Sequence, residues 1–354
     1  MSAEIARRGL RAPVNVTWEI TRQCNMHCVH CLSDAGKGSD EELSTKEARA
    51  LIDEWAALKL FQVNIGGGEP FTRGDCIELL KYAHQKGLVT CVSTNGLLVD
   101  RSLARELSRL EMLYLQVSLD GATEEVNDAI RGRGTYRKIL RAMDCLAAAG
   151  VPFSINTVLT RLSYPQLDTL RAMAKEYGGE LRVSRFRPSG RGKQSKDSLG
   201  PQKAQLEAFA EWLESHDRVR TGDSFFCLTS EKRRRKGLDM CGAAKMTCCV
   251  SPLGDVYPCA FLQERSFQAG NVRVQPFKEI WDTSEVLVRF RQLEVQSCVT
   301  CYRFEHCRGG CPAMAFHTYH DVSMPDPECL VNLMMNSEIE EFRNWGIATS
   351  SISK

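Results

Sequence analysis

Short apolar runs alternate with apolar residues at helical spacing through the first half of the chain. Residues 14–20, 62–65, 89–94, 113–119, 153–159 and 181–186 read as six strands, the second, third and fourth ending at Gly66, Asn95 and Asp120. Helical patterns fall between them. Ser44 and Glu47 make a capping box ahead of Ala48-Arg49-Ala50-Leu51-Ile52. Further helices are predicted over 75–86, 100–110, 136–149 and 164–177. The stretch 189–200 is polar and rich in Gly, Ser and Lys, and reads as a linker. An amphipathic helix follows over 202–215, and the rest has few long periodic segments.

Strands alternating with helices predict a parallel α/β sheet with right-handed crossovers. Six such units fall short of the eight of a closed barrel. The expected fold is therefore a partial (β/α)6 TIM-like barrel followed by a cysteine-rich domain. Chemistry in such sheets collects in the loops after the strand C-terminal ends. Those loops carry Cys24, Cys28 and Cys31, then Gly66-Gly67-Gly68-Glu69-Pro70, then Ser93-Thr94-Asn95-Gly96, then Ser118 with Asp120-Gly121.

The composition narrows the class. The 354 residues suggest about two domains. With 43% hydrophobic and 25% charged residues, wholesale disorder or coiled coil is excluded. A net charge of +2 gives no field that calls for nucleic acid or an anionic membrane. No apolar run reaches the length of a membrane span, and the first residues lack an apolar signal segment, so the chain is expected in the cytoplasm. The 16 cysteines are unusual. In a reducing compartment such a number points to metal ligands rather than disulfides. Three lie at Cys24, Cys28 and Cys31, and ten between Cys227 and Cys329. Cys76, Cys91 and Cys145 between them read as buried thiols. This split predicts an N-terminal segment over 1–13, a core over 14–192, a linker and helix over 193–219, a cysteine-rich domain over 220–335 and a tail over 336–354.

Cys24, Cys28 and Cys31 have C-x3-C-x2-C spacing. Three thiolates on one loop hold three irons of a cubane and leave the fourth open. A closed zinc site, with His27 or His30 as fourth ligand, is the alternative. Placed after a first strand, this loop resembles the signature of the radical S-adenosylmethionine (SAM) superfamily. The resemblance implies that the open iron chelates SAM, and that SAM is cleaved to methionine and a 5′-deoxyadenosyl radical. It also implies SAM contacts from Gly66, Gly67, Gly68 and Glu69 at the methionine amino group. Ser93, Asn95, Ser118 and Asp120 would serve the ribose and carboxylate, with Arg131 near the carboxylate.

The later cysteines follow C-x12-G-x4-C from Cys241 through Gly254 to Cys259, then Cys298-x2-Cys301-x5-Cys307-x3-Cys311, then Cys329. This pattern resembles the SPASM domain, with two zinc sites as the alternative. It implies two auxiliary [4Fe–4S] clusters, making three in all. Cys241, Cys259, Cys311 and one of Cys248 or Cys249, with Cys248 favoured, would hold one. Cys298, Cys301, Cys307 and Cys329 would hold the other. Such a cluster accepts the electron released when a substrate radical is oxidised.

Ala260 stands where sulfatase-maturing relatives carry an Asp. Several segments instead resemble the mycofactocin radical SAM maturases: Val63-Asn64-Ile65-Gly66-Gly67-Gly68-Glu69-Pro70, 118–132, 187–192, Thr221-Gly222-Asp223-Ser224-Phe225-Phe226 and Asp326-Pro327-Glu328-Cys329. That resemblance implies a small precursor peptide ending in Val-Tyr, whose tyrosine is oxidatively decarboxylated and then crosslinked to the valine. It further implies a small peptide-binding chaperone and an electron donor of flavodoxin or ferredoxin type. A SPASM maturase forming a thioether or another carbon–carbon crosslink in a different peptide is the alternative. No side chain is assigned as the base. The run Glu231-Lys232-Arg233-Arg234-Arg235-Lys236 reads as a solvated basic loop or a docking patch. Met324, Met334 and Met335 read as core.

Overall fold

The computed structural model describes residues 9–111, 113–221, 240–329 and 331. The six strand signals pair side by side and parallel: β1 (Asn15–Thr21), β2 (Gln62–Gly67), β3 (Val89–Thr94), β4 (Leu113–Ser118), β5 (Phe153–Leu159) and β6 (Leu181–Arg185). The crossovers contain α1 (Thr45–Ala57), α2 (Cys76–Gln85), α3 (Arg101–Leu107), α4 (Glu124–Arg131), α5 (Thr135–Ala148) and α6 (Leu167–Glu176). The capping box of α1 forms as its residues predict, with Ser44 Oγ accepting from Glu47 N–H at 3.3 Å and Glu47 Oε2 from Ser44 N–H at 2.8 Å. Helix α4, unread from the sequence, is capped by Thr123.

Four short strands extend the sheet beyond expectation. β7 (Val219–Arg220) joins β6, while β8 (Thr247–Val250) runs parallel to β1. β9 (Asp255–Tyr257) and β10 (Gly270–Asn271) continue that edge antiparallel. The resulting order, β10-β9-β8-β1-β2-β3-β4-β5-β6-β7, is an open ten-stranded sheet. Strands of two to four residues are too short to show a period.

A buried parallel sheet normally has apolar residues on both faces. Here the two faces differ. In one register row Trp18, Ile65, Val92, Leu115 and Phe153 lie side by side. The helices cover this face. Trp18 meets Trp55 of α1 edge-on at 5.4 Å, Trp55 meets Phe277 at 5.9 Å, and Phe153 meets Tyr177 after α6 at 5.6 Å. The opposite face carries Asn64, Cys91 and Tyr114 in one row and Ser93, Gln116 and Ser154 in another. A third row holds Ser118, Asn156, Arg182 and Arg220. It is a polar, open face.

The described residues form two compact units. The first comprises 9–200, 218–221 and 242–293, and contains the whole sheet. The second comprises 201–217, 240–241, 294–329 and 331. The segment 242–293 was expected with the cysteine-rich domain, but β8 pairs with β1 and ties it to the sheet. The second unit includes helices Lys203–Ser215, Phe304–Cys307 and Pro312–Tyr319. Met324, expected in a core, is exposed. Cys227, the basic run, Met334 and Met335 lie outside the described residues, as does most of 221–226. Among the described residues no helix is long and apolar enough to cross a membrane.

Candidate active site

The loop carrying Cys24, Cys28 and Cys31 follows β1 and is gripped from three sides. On one side Cys24 N–H donates to Gly36 O at 2.8 Å. Val29 N–H on a second side donates to Ile130 O in α4 at 3.0 Å. The third grip comes from the stretch expected to be a linker. It forms a tight 3-10 turn, Gly190–Ser195, followed by the short helix Lys196–Leu199. From that turn Arg191 Nε donates to Cys28 O at 2.9 Å, Gly192 N–H to Cys31 O at 3.2 Å and Ser195 Oγ to Val29 O at 2.8 Å. The segment is therefore a clasp on the cysteine loop. Its Gly, Ser and Arg residues serve close backbone approach rather than flexibility.

The three thiols suit an iron–sulfur cluster. Asn95 Nδ2 donates to Cys24 Sγ at 3.8 Å, and Ala35 N–H to Cys31 Sγ at 3.4 Å. Burial pushes the Cys28 thiol up to about 11 and raises Cys24 as well, so thiolates at these sites call for a metal partner. Among the described residues no three His, Cys, Asp or Glu side chains converge on a point that would hold one metal ion. Cubane ligands each bind a different iron and do not need a common point.

The Gly66–Gly68 loop packs against the entry to the cysteine loop. Gly68 N–H donates to Thr21 O at 2.8 Å and Glu69 N–H to Gln23 O at 2.8 Å. A Cβ on Gly68 would lie 2.1 Å from Gln23 O. One on Gly67, at φ +106°, would lie 2.5 Å from Thr21 O. Only at Gly66 would it meet nothing within 4 Å. The first glycine is thus open to a ligand, and the other two are required by packing.

Glu69 is fully buried and ties this loop to the end of β3. Its oxygens accept from Thr94 Oγ1 at 2.8 Å, Asn95 N–H at 2.7 Å and Phe71 N–H at 3.3 Å. Burial raises its carboxyl to about 7 against the pull of those donors.

Asp120, after β4, is fully buried and is a junction of a similar kind. Its Oδ2 lies 2.7 Å from Arg131 Nε, in an ion pair, and 2.8 Å from His30 Nε2. Its Oδ1 accepts from Val158 N–H at 2.7 Å. Burial alone would raise the carboxyl, but Arg131 and then His30 outweigh it and hold Asp120 well below the usual carboxylate range. The structure brings Asp120 and Arg131 together, along with His30, which the sequence suggested only as a zinc ligand. Ser93 and Ser118 stand on the open face of the sheet, on adjacent strands.

Glu19, also unread from the sequence, is buried on the open side of β1. Burial raises its carboxyl to about 7, and Gln263 Nε2 donates to its Oε1 at 2.8 Å. Its neighbourhood separates the adjacent cysteines. Cys248 pairs in register with Val16 on the helix-covered face, where its charged neighbour is Arg291. Cys249 pairs with Thr17, and its charged neighbours are Glu19, Cys248 and Cys259. Cys248, favoured from the sequence, thus faces away from Cys259, whereas Cys249 faces toward it.

In the second unit, Cys298, Cys301, Cys307 and Cys329 are brought together. Burial pushes the Cys298 thiol up, and the Cys307, Cys329 and Cys301 thiols around it add to the shift. Buried Asp326 shapes the turn between Cys307 and Cys311. Its Oδ2 accepts from Cys311 N–H at 3.0 Å and its Oδ1 from Glu328 N–H at 3.0 Å. Gly310, at φ +87°, leaves only 2.4 Å between an added Cβ and Asp326 Cβ. Cys241 and Cys311 belong to this unit, and Cys259 to the first.

A cysteine loop after β1 of an open parallel sheet, with a further knot of thiols, presents the donor set of an iron–sulfur protein. Residues 18–172 match the Radical SAM superfamily, and residues 241–312 match SPASM, an iron-sulfur cluster-binding domain. The chain belongs to the SPASM-bearing branch of the radical SAM superfamily. Within it, the chain is 43% identical over 329 residues to the mycofactocin maturase MftC of Mycolicibacterium smegmatis, covering 91% of this chain and 84% of the relative. It is 32% identical to an AdoMet-dependent heme synthase of Methanosarcina barkeri, covering 90% of this chain and 97% of the relative. The fold is similar to Streptococcus suis SuiB bound to its precursor peptide SuiA. The TM-score is 0.77 at 18% identity, over 92% of this chain and 78% of that one.

Proposed function

We propose that this chain is a SAM-cleaving radical maturase of the mycofactocin type. It acts on the C-terminal Val-Tyr of a small precursor peptide, first decarboxylating the tyrosine oxidatively and then crosslinking it to the valine. The observation that carries this reading is the 43% identity to MftC, sustained over 91% of the chain. The polar open face beside the cysteine loop supports it, because a peptide end needs such a surface next to the radical source.

Cys24, Cys28 and Cys31 hold the cluster that binds SAM. Cys298, Cys301, Cys307 and Cys329 hold a second. Of the adjacent pair, Cys249 rather than Cys248 serves the remaining auxiliary cluster. When bound, the clusters and SAM supply a carbon radical and an acceptor for the electron released by the substrate. The chain's own residues position and shield. Gly66, Ser93, Asn95 and Ser118 line the SAM pocket. Glu69 and Asp120 hold its loops in place, and Asp120 orients Arg131 toward the SAM carboxylate. A peptide-binding chaperone presents the substrate and a flavodoxin or ferredoxin supplies electrons, all in the cytoplasm.

Anaerobic mass spectrometry tests the reading. Reconstituted enzyme, SAM, reductant, chaperone and a peptide ending in Val-Tyr are combined, and peptide mass and 5′-deoxyadenosine are followed together. Loss of CO2 plus two hydrogens is expected. Deoxyadenosine with an unchanged peptide, at every chaperone concentration, would reject the substrate. Iron and sulfide near about twelve each per chain are expected for three cubanes, whereas bound zinc without visible absorption would overturn the cluster assignment. Replacing Cys24, Cys28 and Cys31 with Ala is expected to abolish SAM cleavage while the other clusters persist.

A further inference from the structure

Arg191 of the clasp grips two places on the cysteine loop at once. Its Nε donates to Cys28 O at 2.9 Å. On its other side Nη1 pairs with Asp34 Oδ1 at 2.5 Å, and Nη1 and Nη2 both donate to Ala35 O at 3.2 Å. One planar guanidinium thus fixes the Asp34–Ala35 segment relative to the carbonyl of Cys28, a task that needs a rigid fork of donors.

The segment so held is strained. Asp34 has φ +50°, in the left-handed region that a residue with a side chain occupies at a cost. A left-handed residue in a turn directs neighbouring backbone N–H groups toward one concavity, the arrangement that receives anions and iron–sulfur centres. Here the next N–H belongs to buried Ala35, and it donates to Cys31 Sγ at 3.4 Å. The other two sulfurs are served differently. Cys24 Sγ accepts from Asn95 Nδ2 at 3.8 Å, and Cys28 Sγ lies 3.8 Å from Arg131 O, which has no proton to give. The Cys31 donor is the one whose residue the clasp holds from 156 positions along the chain.

We infer that Arg191 is a redox-positioning residue. By holding Asp34 and Ala35 it keeps the Ala35 N–H on the sulfur of Cys31, and so raises the reduction potential of the cluster held by Cys24, Cys28 and Cys31. The physical reason is that a donor aimed at a thiolate sulfur favours the more negative, reduced state, and does so more strongly where water is excluded. This rests on the iron–sulfur reading of the loop and adds the residue that sets how readily the loop's cluster accepts the donor's electron.

The test is a redox titration of the holoenzyme, with the reduced clusters followed by electron paramagnetic resonance. The signal that changes on adding SAM belongs to this cluster, and the remaining signals serve as internal references. In Arg191→Lys the charge stays but the fork is lost. At the wild-type midpoint the ratio of reduced to oxidised cluster should fall roughly tenfold, as for a lost hydrogen bond to a charged group. That is a downward shift of about 59 mV for a one-electron couple. The reference signals and the iron content should not move. A midpoint that stays at the wild-type value in iron-replete Arg191→Lys overturns the proposal. A second measurement needs no variant. Wild type labelled with nitrogen-15 only in alanine should show a nitrogen-15 coupling to the reduced cluster, carried through the Ala35 N–H. Its absence overturns the proposal even where Arg191→Lys fails to hold iron. A wild type with no iron signal that responds to SAM overturns the iron–sulfur reading itself, and the positioning role with it.

Discussion

Trp18 and Glu19 are neighbours on β1 and occupy opposite worlds. Trp18 packs edge-on against Trp55 beneath the helices, whereas Glu19 is buried on the open side with Gln263. The same split runs across the sheet, with an apolar row from Trp18 to Phe153 and polar rows from Asn64 to Arg220. The helix-covered face obtains its stability from area removed from water. The open face carries polar groups, each needing a partner, and so obtains precision from shared hydrogen bonds at a cost in stability.

If the comparison is right, substitutions on the two faces fail differently. The largest effect is expected from Gly68→Ala, where the new Cβ would sit 2.1 Å from the Gln23 carbonyl and displace the backbone leading to Cys24. Deoxyadenosine formation should fall by about 100-fold or more, and iron by about four per chain. Full activity in this variant would mean that the glycine loop does not brace the cysteine loop. Next is Asp120→Ala, which leaves Arg131 and His30 without their carboxylate. A loss of about 3–5 kcal/mol is expected from breaking a buried pair, together with weaker SAM binding, read by denaturant unfolding and SAM titration. Trp55→Ala should lose a similar or somewhat smaller amount, about 3–5 kcal/mol, while SAM affinity stays within about twofold. Equal damage to SAM binding would erase the distinction between the faces.

The smallest effect concerns Glu19. Its carboxyl, at about 7 in the fold, lies above the 4.5 of an exposed one. Between those values the folded chain keeps a proton that the unfolded chain has released. Stability therefore falls as pH rises through that window and is level on either side. Glu19→Gln keeps an acceptor for Gln263 and should remove one of two contributions to the slope, that of Glu69, raised to the same value, remaining. Denaturant midpoints at about pH 5 and about pH 8 measure it, and an unchanged slope would place the titration elsewhere.

Much of this was legible in the residues. The six long strands and the helices between them follow from periodicity, and the cysteine loop from its spacing. The short strands β7 to β10 were not legible, because a two-residue strand forms only when a neighbouring edge offers it hydrogen bonds. Helix α4 was hidden because its residues were read as a motif. The clasp was misread for a related reason: Gly190, Gly192 and Ser195 look like a flexible linker until the loop they hold is in view. Glu69 and Asp120 stand out in the sequence as acids in the loops after β2 and β4, but their burial and their bracing contacts to other loops could not be seen there. The open face left one faint signal, in residues such as Arg182 of β6. A polar residue alternating with apolar ones in a parallel strand needs a second, uncovered face.

The clasp also has a consequence in time. Arg191 follows Cys28 by 163 residues. At about 5–20 residues per second, the three thiols leave the ribosome roughly 8–30 seconds before the turn that grips them has been made. During that interval the loop has its local contacts and, once residue 130 is made, the grip on Ile130, but its sulfurs face the surrounding oxidants and metal ions without the third grip. Iron delivered before the sixth strand is complete would meet a looser loop than iron delivered after it.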